Sequence, residues 1–94
     1  MLMNWQVVIR TRAAKQLQRL PQTIRQRYLV LAQELATQGP ICGNWPNYSK
    51  LNDLRHHCHL KKGRPTYVAV WEVSDASQRI MEVIYVGTHA NAPY

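Results

Sequence analysis

The spacing of apolar residues changes twice along the chain, and this pattern constrains the fold more than any other feature. Trp5, Val7 and Ile9 alternate with their neighbours, as in a strand that buries one face. The spacing then becomes helical, and the last third of the chain returns to strand-like runs. The sequence therefore predicts an α+β fold in the order strand, helix, helix, strand, strand, strand (β-α-α-β-β-β).

Two helices are predicted between the strand regions. Apolar residues fall at helical spacing from Ala13 to Leu20, and Pro21 ends this helix while suiting the first turn of the next. The second helix is predicted over residues 21–38, because its apolar positions repeat every three or four residues and Gly39 supplies a stop signal. The two helices should form a hairpin.

A turn-rich segment and three strand-like runs complete the chain. Residues 41–52 combine glycine, proline and asparagine with aromatic residues, so a packed loop held by Trp45 and Tyr48 is predicted there. Short turns separate the runs and favour an antiparallel meander. The three runs are residues 54–61, 66–73 and 80–86.

The length predicts a single domain over residues 1–94, because a chain this short cannot support two cores. Its apolar runs, such as residues 29–32, are far below the roughly 20 residues that cross a bilayer, so no membrane association is expected. Residues 1–9 do not resemble a secretory signal, so a cytoplasmic location is expected. Cys42 and Cys58 are then expected to be reduced thiols.

Positive charge is concentrated in two parts of the sequence. Twelve Lys and Arg residues against five acidic ones give a net charge of +7. Six basic residues and no acid precede residue 34, and residues 50–64 hold five more against Asp53. This balance indicates a polyanionic partner, either nucleic acid or an acidic protein.

Several motifs together resemble the RelE/ParE superfamily of toxins over nearly the whole chain. They are the opening strand at residues 5–9, Ala-Ala-Lys at 13–15, Leu-Pro at 20–21, Ile-Arg at 24–25, Lys-Leu at 50–51, His-His-Cys-His-Leu-Lys-Lys-Gly-Arg-Pro-Thr-Tyr-Val-Ala-Val-Trp at 56–71, Val-Gly-Thr-His at 86–89 and Pro-Tyr at 93–94. The long block at 56–71 is similar to the subgroup described as cytotoxic translational repressors. The resemblance implies a helical hairpin packed on a curled, mainly antiparallel four-stranded sheet.

The resemblance also implies a function. Such proteins are toxins of type II toxin–antitoxin systems that a cognate antitoxin binds and silences. Many of them cleave messenger RNA on the ribosome, whereas ParE-like members poison DNA gyrase. The commonest RelE pattern has arginines where this chain has His57, His59 and Val68, so the catalytic set differs. Tyr94 matches the C-terminal tyrosine of the family, which would stack on a base or assist proton transfer.

The run at residues 54–61 should present two different faces, because side chains alternate along a strand. One face is basic throughout and consists of Arg55, His57, His59 and Lys61. The other face consists of Leu54, His56, Cys58 and Leu60. We expect His56 and Cys58 to serve packing.

The basic face suits RNA cleavage through the 2′-hydroxyl, which needs a base, an acid and cations but neither a metal nor a cofactor. Histidine changes protonation near neutral pH, so His57, His59 and His89 are the candidates for proton transfer, with Tyr94 completing the pocket. The candidates for holding phosphate are Lys50, Arg55, Lys61, Lys62 and Arg64. Adjacent residues of a strand point apart, so no metal site is expected among the histidines.

Other interpretations remain open. The chain could be a binding module without turnover, such as a ParE-like gyrase inhibitor or an antitoxin-binding protein with a decayed site. Lys15 and Arg19 could form a solvated helix face or contact ribosomal RNA. Loss of activity in His57→Ala and His59→Ala with RNA binding intact would favour catalysis. Dependence on Lys and Arg with strong salt sensitivity would favour pure binding.

Overall fold

The computed structural model describes residues 4–94, and its α+β architecture confirms the predicted class. Residues 1–3 lie outside the described part. They belong to the segment 1–9, which does not resemble a secretory signal. The elements are β1 (Gln6–Ile9), α1 (Thr11–Gln18), α2 (Gln22–Gln38), β2 (Ser49–Lys50), β3 (Arg55–Lys61), β4 (Tyr67–Asp75), β5 (Ile80–Thr88) and a short 3-10 helix (His89–Asn91).

The described strands form one open sheet in the order β1-β5-β4-β3-β2. The antiparallel meander of β3, β4 and β5 is confirmed, and β1 joins its far side parallel to β5. The sheet has five strands, not the predicted four, because β2 pairs with β3 from within the predicted loop. A two-residue strand is too short to show an alternating pattern, so the sequence gives no signal for it.

The main core lies between α2 and one face of the sheet. The buried residues of α2 are the apolar positions from which the helix was predicted, namely Ile24, Tyr28, Leu31 and Leu35. They pack against Cys58, Leu60 and Trp71 of the sheet. Gly39 ends the helix with φ 95°, a conformation that glycine adopts without steric cost, and its N–H bonds Leu35 O at 2.9 Å.

The segment between α2 and β3 is held by aromatic residues, as predicted. Trp45 is buried, donates a hydrogen bond to Glu34 and lies under the guanidinium of Arg27. Tyr48 bonds His56 on β3 through its hydroxyl. Cys58 is a buried free thiol, and burial raises its pKa to about 12. These contacts fix β2 beside β3.

The sheet face opposite the helices carries a smaller apolar cluster of Val68, Val70 and Tyr85. The Tyr85 hydroxyl turns back to donate to Thr88 O at 2.7 Å. It crosses Gly87 so closely that a Cβ there would lie 2.6 Å from the hydroxyl oxygen, so this strand position requires glycine. No helix in residues 4–94 has the length and apolar character to cross a membrane.

Candidate functional site

Four aromatic side chains meet on the sheet face that the helices leave open. His57 and His59 project from β3 on this side, while His56, Cys58 and Leu60 are buried on the side of the helices. Ring centroids are 6.0 Å apart for His57 and His59, and 4.8 Å for His57 and Tyr94. The ring centroid of His89 lies 5.5 Å from that of His59 and 5.7 Å from that of Tyr94, so the four rings contact one another in a closed loop. We call these four residues the ring cluster.

The C-terminal segment delivers half of the ring cluster. After β5 ends at Thr88, the chain turns in the short 3-10 helix, and the N–H of His89 bonds Thr66 O at 2.8 Å. Ala92 then packs on the apolar cluster of this sheet face. The turn therefore carries Tyr94 back across the sheet to His57. The four predicted catalytic residues, which come from two separate regions of the sequence, are neighbours in the fold.

The site contains a fifth polar residue, Ser49, that was not predicted from the sequence. Ser49 lies on β2 directly opposite His57, and its Oγ is 3.0 Å from His57 Nδ1. A partner at Nδ1 fixes the orientation and tautomer of an imidazole. His59 Nδ1 is buried without a hydrogen-bond partner in the described residues. Nothing in the turn-rich composition of residues 41–52 indicated that a serine would face a histidine.

The surroundings of His57 and His59 favour the neutral forms of these two histidines. Burial lowers the pKa of His57 below its usual 6.5, with His89 acting in the same direction and a hydrogen bond to Ser49 opposing it. Burial also lowers the pKa of His59, and the charges of His57, His89 and Lys62 lower it further. Burial raises the pKa of Tyr94, so its hydroxyl stays protonated at neutral pH.

Two of the predicted phosphate-binding residues lie where they influence the histidines. Lys62 is exposed in the turn after β3 and lowers the pKa of His59 through its charge. Lys50 is exposed on β2 and acts in the same way on His56, which faces the core. Arg64 is exposed in the same turn as Lys62. Among the predicted phosphate-binding residues, Lys62 is therefore the one whose charge acts on a histidine of the ring cluster.

The predicted continuous basic face is interrupted at both ends. Arg55 is on β3 but bonds Glu72 of β4, with Nη2 3.0 Å from Oε2, so its charge is balanced. Lys61 follows a bulge between itself and His59, which breaks the alternation. It lines a cavity of about 400 Å³ with Arg27 of α2. Leu54, predicted to face the core, is exposed because it precedes the strand.

His56 has the packing role predicted for it. Its ring is parallel to Trp71 within 6° at 6.0 Å, and its Nδ1 is 2.7 Å from the Tyr48 hydroxyl. Among residues 4–94, no three His, Cys, Asp or Glu side chains are grouped so that they could hold a metal ion.

Comparisons with known proteins identify the fold. No protein-family model and no curated protein sequence matches the chain. The solved structure of a double mutant of the E. coli toxin RelE in the free state is similar with a TM-score of 0.73 and 22% identity, covering 95% of this chain and 88% of that one. The archaeal RelE-RelB complex from Pyrococcus horikoshii OT3 gives a TM-score of 0.70 and 16% identity over 96% of this chain and 100% of the other. The chain has the RelE toxin fold, as the resemblance implied.

Proposed function

We propose that this protein is the toxin of a toxin–antitoxin pair and that it cleaves RNA at the ring cluster. The observation that supports the proposal most is the meeting of His57, His59, His89 and Tyr94 on the open sheet face of a RelE-like fold. Three imidazoles and a phenol hydroxyl, which are side chains that can transfer protons, are gathered on a face where His89 and Tyr94 are exposed.

In the proposed reaction, His59 is the general base. It takes the proton of a ribose 2′-hydroxyl, and the 2′-oxygen attacks the adjacent phosphorus. Every charge that acts on His59 favours its neutral form, which is the form that accepts a proton. The bond from phosphorus to the 5′-oxygen breaks, leaving a 2′,3′-cyclic phosphate on one fragment.

The departing 5′-oxygen needs a proton, and Tyr94 is the proposed donor because its raised pKa keeps the hydroxyl protonated. His57, bonded to Ser49 and in contact with the Tyr94 ring, positions the donor. Lys62 supplies positive charge for the negative charge that develops on the phosphate oxygens. Proton transfer by positioned side chains contributes about 10²- to 10⁴-fold to the rate of such a step.

Two partners follow from the proposed function. The RelE neighbour from Pyrococcus horikoshii is in complex with RelB, so we propose that a cognate antitoxin binds this chain and silences it. The net charge of +7 suits an acidic antitoxin and a polyanionic substrate. We propose messenger RNA on the ribosome as that substrate, which places the activity in the cytoplasm.

The test is expression of the wild-type chain and of His57→Ala/His59→Ala without an antitoxin, with growth and bulk RNA integrity as measurements. The matched control is Arg25→Ala, an exposed substitution on α2. Growth arrest with RNA fragmentation in the wild type and control, but not in the double variant, supports the proposal. Arrest with intact RNA would replace it with a binding module such as a gyrase inhibitor. Normal growth in every case would indicate a decayed site.

A further inference from the structure

A groove separates α1 from the C-terminal segment on the same side of the sheet as the ring cluster. Two adjoining cavities of about 320 Å³ and 430 Å³ make up the groove. Both are lined by Arg12 and Gln16 of α1, Tyr85 of β5 and Asn91 of the C-terminal segment. These volumes lie within the roughly 300–1,000 Å³ that small ligands occupy in proteins. We call this feature the arginine groove.

The arginine groove carries unbalanced positive charge. At its inner end, Arg10 bonds Glu82 and Arg55 bonds Glu72, so those four charges balance. Arg12 and Arg19, which line the rest of the groove, form no ion pair within residues 4–94. Two guanidinium groups that no carboxylate occupies can bind phosphate bidentately. The groove is therefore suited to an anion with a neutral part that fits between its walls.

Amide groups on both walls can recognise that neutral part. Gln16 lines the groove and is half-buried, and its Oε1 is buried without a hydrogen-bond partner among the described residues. Because no hydrogen bond holds this oxygen, the amide can rotate to present either a donor or an acceptor. Asn91 brings a second amide from the opposite wall. Paired donors and acceptors of this kind match the edge of a nucleobase.

The arginine groove and the ring cluster are two sides of one segment. His89 and Tyr94 of that segment belong to the ring cluster, while Asn91 and Pro93 line the groove. The ring cluster and the groove therefore adjoin through this segment.

We propose that the arginine groove binds the nucleotide next to the scissile phosphate of single-stranded RNA. Arg12 and Arg19 hold its phosphate, and Gln16 with Asn91 contacts its base and gives the protein a base preference at that position. This assignment rests on the proposed function for the location of the cut. The binding of single-stranded RNA by the groove can be measured without any cleavage.

The binding test uses a fluorescent single-stranded RNA with 2′-O-methyl riboses, which lacks the attacking hydroxyl and cannot be cut. Arg12→Gln and Arg19→Gln should each weaken its binding about tenfold and reduce the slope of log affinity against log salt by about one. Arg25→Gln on α2 removes the same charge away from the groove and should change affinity less than twofold. Glutamine nearly matches arginine in helix propensity, so the helices should be preserved.

Equal weakening by the control and the groove variants would overturn the proposal, since binding would then depend on net charge alone. Unchanged RNA affinity in Arg12→Gln and Arg19→Gln would overturn it as well. None of these outcomes depends on cleavage, so a failure of the proposed reaction is recognised separately.

The base preference is tested by sequencing the ends of fragments that the wild type and Gln16→Met release from a mixed RNA pool. Methionine keeps the length and helix propensity of glutamine but removes its amide. The preference at the position flanking the cut should fall about tenfold while total cleavage is retained. An unchanged preference would remove Gln16 and the groove from base recognition. If the wild type releases no fragments, the proposed reaction fails and the binding test decides on the groove.

Discussion

His56 and His57 are neighbours in sequence, yet the two sides of β3 give them different surroundings. His56 is 3% exposed and His57 9%, so exposure alone does not separate them. His56 stacks against Tyr48 and Trp71 on the helix side of the sheet, and its Nδ1 is hydrogen-bonded to the Tyr48 hydroxyl. His57 contacts Tyr94, which is half exposed and can be reached by a ligand. The partners of the two histidines, more than their depth, distinguish the packing role of His56 from the chemical role proposed for His57.

The largest expected effect is a loss of RNA cleavage rate when a histidine on the open side of β3 is replaced. If His59 is the base, His59→Asn should lower kcat for RNA cleavage about 10²- to 10⁴-fold, because proton transfer contributes that much. The measurement is the initial rate on a labelled RNA at saturating substrate. Circular dichroism of the variant should match that of the wild type. A rate within tenfold of the wild type would remove His59 from proton transfer.

A substitution on the opposite side of β3, which faces the helices, should lower the free energy of unfolding. His56→Ala leaves a cavity against Trp71 and an unpaired Tyr48 hydroxyl, and should lower the free energy of unfolding by about 2–4 kcal/mol. Urea denaturation measures this loss. His89→Ala, at an exposed position, is the matched control and should change stability by less than about 0.5 kcal/mol. Equal losses in both variants would contradict the assigned difference between the two sides.

Tyr94 offers a smaller effect that separates its ring from its hydroxyl. Tyr94→Phe keeps the ring contacts with His57 and His89 but removes the proposed proton donor. We expect kcat to fall about 10²-fold, at the low end of the range for acid–base catalysis, with KM nearly unchanged. A rise in KM with unchanged kcat would show that the hydroxyl helps to bind the RNA and donates no proton.

The smallest expected effect is a shift in pH dependence. Because the pKa of His59 lies below 6.5, kcat/KM should decline only as pH falls below that value, where the base becomes protonated. Lys62→Gln removes a charge that lowers this pKa, so the acid limb should move to higher pH. Lys15→Gln on α1 is the control and should leave the limb in place. An unmoved limb in Lys62→Gln would argue for His57 as the base, since Lys62 is not among the groups that shift its pKa.

Local periodicity was sufficient to predict the parts of the fold that depend on neighbours in sequence. The apolar positions of α2 and the burial of Trp5, Val7 and Ile9 relative to Gln6 and Val8 agree with the structure. The parallel partner of β1 was not predicted, because pairing between distant segments leaves no periodic signal in either one. The two-residue strand β2 was missed for a related reason, since its pairing is what defines it.

The same limit applies to the candidate site. Alternation along β3 separated His57 and His59 from His56 and Cys58, and the resemblance supplied His89 and Tyr94. The alternation failed at Lys61 because the bulge adds one residue to the strand. The balanced charge of Arg55 depends on Glu72, and the contact of Ser49 with His57 depends on β2. Both are cross-strand contacts that become visible only when the register is known.

The position of β1 also has a consequence for the order of folding. β1 is the first described strand along the chain, yet its hydrogen-bonded neighbour is β5, the last strand, and Gln6 pairs with Ile80. Most of the chain, up to β5, must therefore be synthesised before β1 can pair, whereas the β3–β4–β5 meander can form from local contacts. Such a high contact order slows the final step, so a newly made chain should spend time with its open sheet face formed and its first strand still free.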